Sequence, residues 1–161
     1  MAGQSFQIGD NTMKFEKLAN SIKSINDKAG STAKSAVNQL MTLRNWAIGY
    51  YIVEYEQAGS DRAEYGTQLL KNLEKEISQK GMNSTLFKLC RNFYLLYPQI
   101  GATVSNQFEL PDFEKSSTVS NQFETKPEVL VSNLSFSHIR EIMVIEDAFE
   151  RFFYKTECLH Q

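Results

Sequence analysis

The chain has very few of the residues that build metal centres. It holds two cysteines and two histidines in 161 residues. Cys90 and Cys158 lie far apart, and His138 and His160 stand apart from both, so no zinc-type ligand spacing exists. Spacing alone leaves a disulfide open. Both cysteines sit in apolar helical patterns, and two buried free thiols are the favoured reading. Long apolar runs are missing too. The longest, Trp46 to Val53, is interrupted by Gly49 and is too short to span a bilayer. The opening MAGQSFQIGDNTMKF has no apolar core of a signal peptide, which makes the cytoplasm the default location. Charge of one sign is also lacking. A formal net charge of −2 gives no general attraction to nucleic acid or to an anionic membrane. A DNA-binding surface must then gather its cations on one face. Phosphate-loop and dinucleotide glycine fingerprints are absent. These absences leave no expected cofactor, metal, membrane or small-molecule substrate.

What is present suits a helical core. Hydrophobic residues make up 42% and charged residues 22%, which excludes wholesale disorder. Residues 1–13 show no periodicity. Phe15, Leu18, Ile22 and Ile25 recur at spacings of three and four, which predicts a weak helix over Lys14–Lys28, broken at Gly30-Ser31. The clearest element runs from Ala33 to Gln57. Its apolar stripe includes Val37, Leu40, Met41, Leu43, Trp46, Tyr50, Tyr51 and Val53. Gly49 inside it costs about 1 kcal/mol relative to alanine, which close packing of another helix against its bare backbone would offset. Asp61 or Ser60 can cap a short turn through Tyr65. A helix over Thr67–Gln79 follows, with Leu69, Leu70, Leu73 and Ile77 on one face. Gly81 then suits a left-handed position, and Asn83 or Ser84 caps a helix that ends before Pro98.

Residues 99–127 differ in kind. TVSNQFE occurs at 103–109 and again at 118–124, between Pro111 and Pro127 in a Ser/Asn/Gln-rich stretch. That composition predicts an extended linker or short strands. Two further helices close the chain. One starts at Ser135 or Ser137 and the other covers Glu146–Leu159, with Phe149, Phe153 and Cys158 expected inside.

Residues 67–97 have the outline of a helix-turn-helix. At 100° per residue, Leu86, Leu89, Cys90, Phe93 and Tyr97 fall on one side of the second helix. Ser84, Thr85, Lys88, Arg91 and Asn92 fall on the other, which holds the side-chain types that reach phosphates and base edges. Lys71, Lys75, Lys80, Lys88 and Arg91 against Glu74 and Glu76 leave this stretch at +3 in a chain of net −2. With Asn83 at the turn, Lys71, Lys75, Lys80, Asn83, Ser84, Thr85, Lys88, Arg91 and Asn92 are the candidate DNA-contacting residues. Catalytic groupings are weak by comparison. His138 beside Ser135 and Ser137 reads better as a helix-start cap than as a nucleophile's base, and Glu54, Glu56 and Asp61 read as a solvated run.

Three segments carry a resemblance. LRNWAIGYYIVEYEQAG supplies a W-x-I-G-x-x-I-x-E pattern through Trp46, Ile48, Gly49, Ile52 and Glu54. DRAEYG supplies R-A-x-Y-G through Arg62, Ala63, Tyr65 and Gly66. KGMNSTLFKLCRNFYLLYP supplies a Gly81-Met82 turn before a helix ending in Phe93, Tyr97 and Pro98. With LSFSHIREIM and the stretch from Arg151 to Tyr154, the chain resembles the N-terminal domain of the YhcG-like family of PD-(D/E)xK nucleases. Where that family commonly has Ser directly after the turn's Gly-Phe, this chain has Asn83 after Gly81-Met82, with Ser84 next. The resemblance implies a helical, winged-helix-like or helix-turn-helix DNA-binding domain, with a homodimer as a further expectation. In the family a nuclease domain follows, whose acidic residues and lysine hold a divalent metal. It is expected to be missing here, from a truncated or a stand-alone chain, so no catalytic residue carries over and no enzyme is expected.

The expected architecture is therefore mainly α. It comprises an arm over 1–32, a helix-turn-helix-like domain over 33–98, a flexible linker over 99–128 and a C-terminal helical pair over 129–161. The expected role is a non-catalytic DNA-binding module. The alternative is an oligomerisation or protein-docking module, for which Trp46, Tyr50, Tyr51 and Tyr55 are the evidence.

Overall fold

The computed structural model describes residues 14–108 and 125–160. Residues 1–13 of the expected arm, much of the expected linker and its second TVSNQFE copy lie outside that range. The chain divides into two compact units, Met1–Ala36 and Val37–Gln161. Among the described residues all regular structure is helical, so the mainly-α reading holds. A wing needs a β-hairpin, and no strand occurs among these residues.

The first helix, α1, covers Phe15–Ala58 and is 44 residues long. The break expected at Gly30-Ser31 does not occur. A single interior glycine costs only about 1 kcal/mol, and alanines and lysines on either side keep the helix propensity high. The Ser31 hydroxyl donates to the Lys28 carbonyl, three residues back in the same helix. In the first unit, residues 15–36 of α1 have no buried side chain.

In the second unit the core is built on α1 from Thr42 onward. Leu43, Trp46, Ala47, Tyr50 and Val53 are buried, whereas Val37, Leu40, Met41 and Tyr51 of the expected stripe are exposed. Two short elements follow, α2 (Arg62–Tyr65) and a 3-10 turn (Gly66–Gln68). Then come α3 (Leu69–Ile77) and α4 (Ser84–Leu96), packed against each other. Gly49 explains how α4 lies so close to α1. A Cβ at Gly49 would stand 2.0 Å from the Cys90 carbonyl oxygen, so only a bare backbone fits there. At the far end of the contact the Trp46 indole Nε1 donates to the Tyr97 carbonyl at 2.8 Å. That bond satisfies the one polar atom of a wholly buried indole. The Trp46 and Tyr94 rings meet edge to face at 5.1 Å.

The segment after Pro98 corrects the sequence reading. Residues 98–108 are neither a linker nor a strand. Pro98–Ile100 form a 3-10 turn, and α5 (Gly101–Ser105) continues it. Val104, inside the first TVSNQFE copy, is fully buried, and Phe108 packs on the same core. Pro98 stops α4 and then starts the next turn at the position where its missing N–H costs nothing. Composition concealed this, because one valine and one isoleucine on a short helix suffice to dock it.

Three helices complete the unit: α6 (Pro127–Asn133), α7 (Phe136–Met143) and α8 (Ala148–His160). Leu130, Val131, Leu134, Ile139 and Ile142 join the core beside Phe93 and Ile100. The face of α8 is a second correction. Phe149 and Phe153 are exposed, at 80% and 53%, and Lys155 is its one buried residue. Arg151 Nη1 donates to the Ile145 carbonyl, which sets the helix's rotation. Arg151, Lys155 and Leu159, four residues apart, then turn inward and the phenylalanines turn outward. Long basic side chains can do this because their aliphatic stems cover apolar surface. Cys158 is exposed on this helix and Cys90 is buried, both as free thiols. The expectation of two buried thiols thus holds for Cys90 alone.

Candidate nucleic-acid interface

The turn between α3 and α4 is built from local bonds. Ser78 ends α3 in the left-handed conformation at φ 46°, its N–H donating to the Glu74 carbonyl. Gly81 takes φ 84°, a value that suits glycine, as its position suggested. Asn83 caps α4, its Oδ1 accepting the Leu86 N–H at 2.9 Å. Reaching across from α3, Glu74 Oε2 accepts the Ser84 N–H at 2.8 Å. This pairing holds the Glu74 carboxyl below its ordinary value, chiefly through the Ser84 backbone bond. The two helices are therefore joined by packing and by a charge-assisted bond at the α4 N-terminus.

The nine candidate residues separate into two groups on this frame. Lys71, Lys75, Lys80, Thr85, Lys88 and Asn92 are exposed on α3, the turn and α4. Asn83, Ser84 and Arg91 have tasks within the fold. Asn83 spends its oxygen on the cap, and Ser84 its backbone N–H on Glu74. Arg91 Nε donates to both carboxylate oxygens of Glu56, at 3.0 and 2.7 Å. Glu56 sits on α1, 35 residues away, and no local pattern pairs it with Arg91. Its charge offsets part of the surplus counted over 67–97. The buried side of α4 also differs slightly from the projection. Phe87, Cys90, Phe93 and Tyr97 are buried, whereas Leu86 and Leu89 are only half-buried. Burial pushes the Cys90 thiol up to about 12, so it remains protonated.

A groove of about 490 Å³ lies alongside, between the end of α1, α2 and α3. Tyr51, Tyr55, Tyr65, Asp61, Asn72 and Lys75 are among its walls. Asp61 does not cap α2. Its Oδ1 accepts the Tyr55 hydroxyl at 2.6 Å, and this bond raises the Tyr55 phenol to about 12. Sequence reasoning missed the groove because Tyr55 and Tyr65 belong to separate elements whose rings meet only after folding, 6.3 Å apart.

Ser135 and His138 form a capping box at the start of α7, the Ser135 Oγ accepting the His138 N–H and the ring nitrogen facing the Ser135 N–H. Among the described residues no three His, Cys, Asp or Glu side chains gather as metal ligands. No helix among them is long and apolar enough to cross a membrane.

This helical unit, with its capped α3–α4 turn, defines a type of domain seen in other proteins. Residues 21–161 match the family described as the DUF1016 N-terminal domain, and the chain belongs to that family. Among curated proteins it is similar to the putative nuclease YhcG of Escherichia coli (strain K12), at 31% identity over 156 residues. The alignment takes in 92% of this chain and 42% of the length of that relative. No solved structure matches the chain.

Proposed function

We propose that the chain is a DNA-binding N-terminal module of a YhcG-like nuclease, without a catalytic centre of its own. The observation that carries this reading is the exposed set Lys71, Lys75, Lys80, Thr85, Lys88 and Asn92 on two helices joined by a capped turn. The pair acts as a helix-turn-helix, with α4 in the major groove and the lysines on phosphates. The similarity to a putative nuclease supports the same reading. Asn83, Ser84 and Arg91 hold the frame and make at most secondary contacts.

Fluorescence anisotropy of labelled duplex DNA, titrated with salt, tests it. Binding should be saturable and fall steeply with ionic strength. Lys88→Ala should reduce the salt slope by about one unit. No binding at low salt, or an unchanged slope in that variant, would sink the assignment.

A second reading is protein docking or oligomerisation without DNA contact, for which Tyr51 is exposed and Tyr55 lines the groove beside it. Trp46 and Tyr50 are buried in the core and cannot serve as interface anchors. Exposed apolar side chains on α1 and α8 take their place, Phe15, Ile25 and Phe149 among them.

A further inference from the structure

The tyrosine groove between the end of α1, α2 and α3 measures about 490 Å³, a volume in the range of ligand sites. Its surface changes character with depth. Ile52 is buried and Leu69 and Leu73 are half-buried, so they form an apolar floor. Tyr51 and Tyr65 stand 48% and 37% exposed at its edge. The Tyr55 and Tyr65 rings meet at 67°, which makes them two adjoining walls. The charge is negative. Asp61 and Glu76 line the groove against Lys75 alone. The Tyr55 phenol is raised by its Asp61 bond and further by the Glu64 charge, which puts a third carboxylate beside the same ring. Asp61 Oδ1 is taken by the Tyr55 hydroxyl, but Oδ2 and the Glu76 carboxylate have no hydrogen bond or ion pair with another described residue.

We propose that this groove holds an arginine side chain presented by a partner protein. Each part of that side chain matches one part of the groove. The aliphatic stem covers the Ile52, Leu69 and Leu73 floor. The planar guanidinium lies against tyrosine rings, whose faces attract cations. Its N–H groups donate to the free oxygens of Asp61 and Glu76 as charge-assisted bonds. The Tyr55 bond already holds the Asp61 carboxylate in place, which reduces the ordering that binding costs. Lysine fits less well, because a compact ammonium cannot stack on a ring and reach two carboxylates at once. Nucleic-acid phosphates are repelled by the same three carboxylates. The proposal does not rest on DNA binding. Of the lysine set only Lys75 borders the groove, and there its charge opposes the occupant.

NMR of the full chain, titrated to millimolar concentration with a blocked pentapeptide that carries one central arginine among glycines, tests it. The ring signals of Tyr51, Tyr55 and Tyr65 should shift and saturate. Lysine in place of the arginine should bind more weakly. Citrulline, which keeps the shape and loses the charge, should not bind. Tyr65→Ala should weaken binding about five-fold, and Glu76→Gln about two-fold. Both residues are exposed, so the core should stay intact in either variant. Fluorescence of Trp46, the lone tryptophan, checks this. Unshifted tyrosine rings at the highest peptide concentration overturn the proposal. So does a citrulline peptide that binds as well as the arginine one, or an affinity that both variants leave unchanged. A short single-stranded DNA that occupies the groove in the peptide's place would overturn it too.

Discussion

At the scale of single residues, Gly49 is the most constrained position. Any Cβ there runs into the Cys90 carbonyl and comes within 3.0 Å of the Tyr94 Cβ. Gly49→Ala removes a helix penalty of about 1 kcal/mol but forces α1 and α4 apart, so a net loss of about 2 kcal/mol is expected in denaturant unfolding. The thiols give a second check. Cys158 is exposed and Cys90 is buried with its pKa raised to about 12. A thiol reagent should therefore titrate one group per native chain and two after denaturation. Two fast groups in the native protein would contradict the packing of Cys90 under Gly49.

The elements depend on their ends. Ser78 closes α3 at φ 46°, a conformation in which a side chain costs about 1 kcal/mol. Ser78→Gly should raise stability by about that amount, read as a higher denaturant midpoint. Glu74 links α3 to the start of α4, and its pKa is lowered from 4.5 by the Ser84 bond. A carboxyl whose folded value lies below its unfolded one stabilises the fold fully above the unfolded value, and that contribution fades as pH falls through the folded value. Glu74→Gln should thus narrow the difference in stability between pH 7 and acid conditions. Parallel stability curves for the two proteins below pH 5 would show that the bond contributes nothing. The caps of α4 and α7 were legible in sequence, because an Asn or Ser before an apolar periodic run states its own purpose. The Glu74 bond was not, since its partner is a backbone N–H ten residues away.

For the whole second unit, the test case is the first TVSNQFE copy. Val104 is fully buried with Ile100 against Leu130 and Leu134 of the core. Val104→Ala should cost about 2 kcal/mol in the unfolding free energy of the chain. A segment that read as a linker by composition is therefore part of the core, because burial depends on where neighbouring helices deliver a residue rather than on the polarity of its own window. The same lesson applies to α8 in reverse. Its phenylalanines promised a buried face, yet Arg151 and Lys155 take that side.

Local chemistry, written in the order of residues, determined a good deal by itself. The helical class, the glycine in a close helix contact, a cap at Asn83 or Ser84 and another at Ser135 or Ser137, and the exposed lysines of α3 and α4 all follow from spacings within one or two turns. The tertiary structure decided the rest: the pairing of Glu56 with Arg91, the tyrosine groove, the burial of Val104 and the outward turn of Phe149 and Phe153. Each of these joins side chains from separate elements or depends on the rotation of a whole helix. A helix's pattern states which faces it has, and only the packing of its neighbours selects the face that is covered.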